Sequence, residues 1–302
     1  MAFGLMTYQD AARREDLIDI IGDVSPDANP LTTMLSTSTA KGTYHEWLED
    51  YVGRPTSVAS SAEGQTTTYG DLTQPVRRGN FTHITSQSYK VSGTEMAVSV
   101  AGMGDPMAYQ KAKALKVWKN QFEYNLLRST NVSGSSGVAR KMSGIQAIVT
   151  THVTARNSGT SLSEDMFNEA FQDVWVDVGP DSVPDLILVP AGLKRKISSF
   201  TAGSTKNVDA SDKRLTRPVA VYESDFGVHR IMAHKDLLNS AGTVHMLGLR
   251  EDKWRIAYLR RPFSEDRPKD GDYKSGEIIG EATIEYLAER ANFKQTGFAI
   301  NG

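Results

Sequence analysis

The strongest metal candidate in the chain is DRPKDGDYKSGE, residues 266–277. Asp266, Asp270, Gly271 and Glu277 fall at the first, fifth, sixth and twelfth places of a calcium loop, but Pro268 takes the third place, where an oxygen ligand is needed. Strand patterns flank the segment, so it reads as an acidic turn. His229 and His234 stand five apart, which on a strand puts them on opposite faces. GMGDPM, 102–107, starts like a dinucleotide fingerprint but has Met107 where the last glycine belongs; Asp105-Pro106 reads instead as a helix cap. GSSG at 134–137 lacks the spacing of a nucleophile elbow, and no histidine stands in a context that would activate a serine. Asp19, Asp23, Glu46, Glu49 and Asp50 are scattered carboxylates rather than an acid–base pair. Arg77-Arg78, Lys194–Lys196 and Arg260-Arg261 read as solvated surface or as intersubunit ion pairs. The expectation is a protein with no catalytic residue, no cofactor and no metal.

Composition agrees with that expectation. With 34 basic and 36 acidic side chains, the 302-residue chain has no nucleic-acid signature in its total charge. Without cysteine it has neither disulfides nor thiolate metal sites. No stretch approaches the 18 uninterrupted apolar residues of a membrane span, and the first residues lack a signal peptide's apolar core. Charge is uneven, however: residues 1–50 hold nine acidic and three basic side chains, residues 51–130 five acidic and nine basic. Segments of opposite sign can meet within a chain or between copies.

The elements that would position any site follow from periodicity. DPMAYQKAKALKVWKNQFEYNLLRST, 105–130, predicts a long helix, with Asp105 as cap and Pro106 in the first turn. Ala108, Ala112, Leu115, Trp118, Phe122 and Leu126 form its apolar stripe; Lys111, Lys116, Lys119, Asn120 and Glu123 mark a polar side. A shorter helix is expected over 10–23, with Leu17, Ile18 and Ile21 on one side. Another begins near a Ser161/Glu164 capping box and presents Met166, Phe167, Ala170, Phe171, Val174, Trp175 and Val178 to a core before Gly179-Pro180 ends it. LILV, 186–189, reads as a buried strand, GLKRKISSF as a helix, and VAVYESDFGVHRIMAH as two strands about a turn at 224–227. WRIAYLRR reads as a strand. In the last clear strand Ala282, Ile284, Tyr286 and Ala288 alternate with Glu281, Thr283, Glu285 and Glu289, which predicts one buried and one wet face.

YHEWLEDY, 44–51, alternates as a strand, and FTHITSQSYKVSG, from 81, does so again. Between them GRPTSVASSAEGQTTTYGDLTQPVRRGN is a long polar segment with four glycines and few apolar anchors. Two strands around such a tip predict an extended arm without a core of its own, which needs another surface to lie on. A neighbouring copy is the natural one. Arg54, Glu63, Arg77 and Arg78 are candidates for intersubunit ion pairs; Trp47, Tyr51 and Phe81 are candidates for packing at the arm's base.

The order of NPLTTML, AKGTYHEWLEDYVGRP, SYKVSGTEMAV, the long helix, RKMSGIQAIVTT, EDMFNEAFQDVW, VYESDFGVHRI, WRIAYLRRPFSED and KDGDYKSGEIIGEATIEYLAE resembles the major capsid proteins of tailed bacteriophages with the HK97-like fold, and within them the SU10-like major head proteins. The resemblance implies an α+β fold divided into an N-terminal arm (1–40), an extended hairpin loop (41–92), a peripheral domain (93–139) whose spine is the helix near 105–130, an axial domain (140–250), and return strands of the peripheral domain with the C-terminus (251–302). It implies homo-hexamers and homo-pentamers closing an icosahedral shell around double-stranded DNA held non-specifically. It further implies portal, scaffolding and decoration proteins as partners, no membrane, and a place in the virion after assembly in the host bacterial cytoplasm. The shell of a non-viral compartment of the same fold is the alternative. An arm of about 40 residues is too short for the long scaffolding segment of some relatives, so scaffolding is expected to be separate, absent or already lost. Some relatives weld their shells through a Lys–Asn isopeptide bond; the arm tip, 56–75, has no lysine, so no such weld is expected there.

Overall fold

The computed structural model describes residues 29–53, 55, 57–66, 74–98, 104–204, 220–237, 243–269 and 271–299. The helix expected over 10–23 and the candidate contact residue Arg54 lie outside them.

In chain order the elements are α1 (Pro30–Met34), β1 (Ser36–Thr39), β2 (Tyr44–Glu49), β3 (Val76–Phe81), β4 (His83–Ser92), α2 (Gly93–Ala97), α3 (Pro106–Arg128) and α4 (Ile145–Ile148). They continue as β5 (His152–Thr160), α5 (Glu164–Val178), β6 (Leu186–Val189), α6 (Ala191–Ser204), β7 (Ala220–Ser224), β8 (Gly227–Ala233), β9 (Thr243–Leu249), β10 (Trp254–Asp266), β11 (Tyr273–Tyr286) and β12 (Phe293–Ala299). Among the described residues three sheets result: β1-β10-β11-β4, β5-β12-β9-β6-β8-β7, and the isolated pair β2-β3. This is a mixed α+β architecture with open sheets.

The chain separates into two compact units, one of Ser86–Asn120 with Phe263–Ile279, the other of Asn29–Thr85, Gln121–Pro262 and Gly280–Gly302. In the first unit the Asp105 carboxylate accepts the Met107 N–H at 2.9 Å, as the cap requires. There Tyr89 meets Ser264 at 3.1 Å, and the Lys90 ammonium sits 4.5 Å from the centre of the Tyr273 ring.

In the second unit the six-stranded sheet carries the main core. Phe167, Phe171 and Val174 of α5 and Leu193 and Ile197 of α6 pack against Ile187, Ile231 and Phe293 from the strands. Helix α5 is capped by Ser163, which accepts the Met166 N–H, rather than by Ser161. It ends at Gly179, whose φ of 90° is open to glycine but strained for other residues. Trp175 stays 38% exposed near Phe226, outside the buried face assigned to it. Strand β12 pairs with β5 and β9, so it stands apart from the return strands assigned to 251–302.

Two further expectations need correction. The stripe on α3 is buried at Trp118, Phe122 and Leu126, but Ala108 and Ala112 are exposed, Leu115 is 40% exposed, and Ala114 is buried instead. Packed layers cross a helix at an angle, so the covered side drifts round it. The supposed wet face of β11 is also buried: Glu281, Thr283 and Glu285 are 4%, 0% and 7% exposed. The strand is interior to its sheet and both faces are covered, so alternation of residue type does not report burial there.

Candidate functional site

The hairpin β2-β3 runs antiparallel from Tyr44↔Phe81 to Glu49↔Val76. The arm's returning strand is therefore VRRGNF, not FTHITSQSYKVSG, whose residues form β4 in the four-stranded sheet. Beyond the hairpin, residues 55 and 57–66 are all exposed, and Gly64 turns the chain at φ 77°. The tip has no partner surface within the described residues, whereas the root is tightly bonded.

Carboxylates on and after β11 make that root. Glu281 and Glu285 are four apart and so share one face of the strand. Glu281 accepts from Thr82 Oγ1 at 2.7 Å, Arg140 at 2.6 Å and Arg260 at 3.0 Å. Burial opposes its ionisation, but the bonds from Thr82, Arg260 and Arg140 outweigh burial and hold the carboxyl below its ordinary range. Glu285 accepts from Ser38 at 2.8 Å, contacts His45 Nε2 at 3.2 Å, and has Arg255 3.8 Å away. Glu289, in the following turn, accepts the Thr150 and Thr151 N–H groups at 2.6 and 2.8 Å, while its own N–H donates to Glu49 Oε1 at 2.9 Å. The other oxygen of Glu49 receives Arg78 Nε at 2.8 Å. Asn80, 1% exposed, donates to the Ser143 and Ile284 carbonyls and accepts the Ser143 N–H. His45, Glu49 and Asn80 thus bond the hairpin to the rest of the chain.

Aromatic contacts complete the base. Trp47 meets Tyr286 edge-on at 5.0 Å, and Tyr44 lies 4.6 Å from Phe81. The Tyr51 hydroxyl donates to Asp177 Oδ1 at 3.0 Å, and the Arg290 guanidinium covers the Tyr51 ring at 4.3 Å while holding Asp177 at 3.2 Å. A cleft of about 290 Å³ opens beside them, lined in part by Glu49, Tyr51, Arg78, Glu289 and Arg290.

Of the candidate ion-pairing residues, Glu63 is exposed at the tip, Arg77 is exposed and 3.9 Å from Glu46, and Arg78 pairs with Glu49 of its own hairpin. Trp47, Tyr51 and Phe81 all pack within the chain. Glu281, Glu285, Glu289 and Asn80 escaped sequence reading because glutamates alternating with apolar residues look like a solvated strand face. Among the described residues no group of three His, Asp or Glu side chains is placed to hold a metal. His229 instead contacts the Pro184 carbonyl and Ser224, and His234 contacts Glu123.

The chain is thus a two-sheet α+β body carrying an isolated hairpin with a bonded root and an exposed tip. Solved shell proteins share this fold across their full lengths. Against the cyanophage A-1(L) capsid the TM-score is 0.67 at 12% identity, covering 98% of this chain and 99% of that one. Against the cyanophage Pam1 capsid it is 0.63 at 11%, covering 100% and 99%. Against the SrpI encapsulin of Synechococcus elongatus PCC 7942 it is 0.61 at 11%, covering 100% and 98%. No curated protein matches. The class is the capsid-forming proteins of HK97-like fold. The SU10 major capsid protein family model matches residues 4–299, and the chain belongs to that family.

Proposed function

We propose that this chain is the major head protein of a tailed phage, assembling as hexamers and pentamers into an icosahedral shell around double-stranded DNA. The observation that carries the proposal is the hairpin: its root is fixed by Glu281, Glu285 and Glu289, and its tip, 57–66, is exposed along its whole length. An arm of this kind gains order by crossing a neighbouring copy, with Glu63, Arg77 and the segment around Arg54 at the contact. Many modest contacts of one type sum to a firm shell while each stays correctable. One sequence serves both five-fold and six-fold rings when its arm can turn on a rigid body.

In this proposal residues 1–40 are the N-terminal arm, 41–92 the region of the extended loop, α3 the spine of the peripheral domain, and 140–250 the core of the axial domain. With a formal charge of −2, the chain encloses packaged DNA without sequence recognition and with little affinity for free DNA in physiological salt. Portal and scaffolding proteins join it during assembly in the host cytoplasm. Electron microscopy of the purified protein tests the proposal: hollow icosahedral particles are expected, and tubes, fibres or stable monomers at high concentration would overturn it.

A further inference from the structure

The two sides of the arm are not held alike. Pairing ends at the Glu49↔Val76 rung. Beyond that rung the outgoing chain is tied once more: the Tyr51 hydroxyl is shared between the Asp177 carbonyl at 3.1 Å and its Oδ1 at 3.0 Å. Asp177 sits in the last turn of α5, whose Phe167, Phe171 and Val174 are fully buried. Arg290 covers the Tyr51 ring at 4.3 Å and reaches Asp177 Oδ2 at 3.2 Å, and His152 Nε2 lies 3.2 Å from the same oxygen. From there Val52, Gly53 and residues 55 and 57–66 are exposed. On the returning side residues 74–78 are all exposed, and Arg77 and Arg78 pair with Glu46 and Glu49 of the hairpin itself. Among the described residues the first bond from that side to the body is made by Asn80. The cleft of about 290 Å³ is lined by Gln74, Val76 and Arg78 of the returning side and by Thr151, Val178 and Arg290 of the body, which gives that side room to move.

We infer that Tyr51 is a positioning residue: the clip of Tyr51, Asp177 and Arg290 fixes the line along which the outgoing chain leaves the body, and the returning side is free to roll about that line. Leverage makes the clip matter. At about 3.3 Å per extended residue, Glu63 stands up to roughly 40 Å along the chain from Tyr51, so an error of about 10° in direction displaces it by roughly 7 Å. That is further than a side-chain contact tolerates. A fixed line with a free roll gives one chain several arm orientations without remaking the bonds of Glu281, Glu285 and Glu289. The use of this freedom in five-fold and six-fold rings rests on the assembly proposed above; the clip itself does not.

Native cysteine is absent, so spin labels can be placed in chosen pairs on the unassembled full chain. Val52→Cys with Asp173→Cys is expected to give one narrow distance by electron paramagnetic resonance, and Gln74→Cys with Asp173→Cys a broad one. That comparison leaves the clip intact. Tyr51→Ala should then cost the first pair its narrow peak, while Arg78→Ala, which cuts a pair within the hairpin, should leave it. Equal widths for the two pairs, or a narrow peak that survives Tyr51→Ala, would overturn the inference. A second measurement is assembly. Tyr51→Ala should lower the yield of uniform shells while amide exchange at 44–49 stays as in the parent chain. Uniform shells at the parent yield would overturn the positioning role. Shells absent from the parent chain as well would count against the proposed assembly, and the distances would still decide the clip.

Discussion

Glu123 and His234 form a pair wholly closed to solvent: Nε2 of the histidine lies 3.1 Å from the carboxylate, and both side chains are 0% exposed. The Asp236 N–H donates to His234 Nδ1 at 3.2 Å, which leaves the ring proton on Nε2, facing Glu123. The carboxylate also takes the Leu31 and Thr32 N–H groups and the Thr32 hydroxyl. Burial works against its ionisation, but these bonds, with His234 first, win and lower its pKa. One side chain thereby ties α1 to the long helix.

Glu123→Gln keeps the shape but turns an NH2 group toward donors. It is expected to cost about 1–3 kcal/mol, the penalty of a buried group left without its bond. The readouts are a lower midpoint in chemical denaturation and faster proteolysis near 29–40. An unchanged midpoint and cleavage pattern would contradict the assignment of Glu123 as the tie.

At the hairpin root, Glu285→Ala removes the acceptor of Ser38 and the partner of His45 and Arg255. The expected result is a folded chain whose hairpin exchanges amide protons faster at 44–49 and 76–81. Unaltered exchange there would show that the aromatic base holds the hairpin alone.

Acid should weaken the fold in two stages. His229 and His83 have lowered pKa values, from burial first, so the unfolded chain binds protons more readily below its ordinary histidine value of about 6.5. Their contribution is complete above that pH and is lost as pH falls through the lowered values. Glu123 and Glu281 also have lowered values; their contribution is present above the unfolded carboxylate pKa of about 4.3 and is lost as pH falls through the folded ones. Thermal scans should therefore show a flat midpoint near pH 7, a first decline below about pH 6.5, and a steeper one below about pH 4.3. His229→Gln should flatten the first decline.

How far residue patterns anticipate this architecture depends on what covers each element. Helix α5 and the β7-β8 hairpin are legible because each has one core-facing side, and LILV because it is apolar and buried throughout. The hairpin arm is legible as an uncored segment, but not its pairing, since VRRGNF has the composition of a loop and pairs through backbone. The glutamate root is illegible for a different reason. A carboxylate that accepts two or three hydrogen bonds is content in the interior, and its residue type still reads as surface.

Covalent welding through the arm is not expected, because residues 56–75 contain no lysine. Denaturing electrophoresis of assembled particles should give one species at the chain mass of 33.1 kDa. A ladder of covalent oligomers would contradict this.

Deleting residues 58–74 removes the tip and leaves the root bonds of Glu281, Glu285 and Glu289 in place. The variant should be soluble and folded, with unchanged circular dichroism, and unable to form stable shells. Normal, stable particles would remove the arm from the mechanism.

The central claim is that the arm is fixed by its own chain at one end and by another copy at the other. A cryo-electron microscopy map of assembled particles at side-chain resolution measures both ends at once. It should show residues 57–66 crossing an adjacent subunit while Glu285 still meets His45 and Glu49 still accepts the Glu289 N–H. A map with the tip folded back on its own subunit, or with those root bonds absent, would contradict the account.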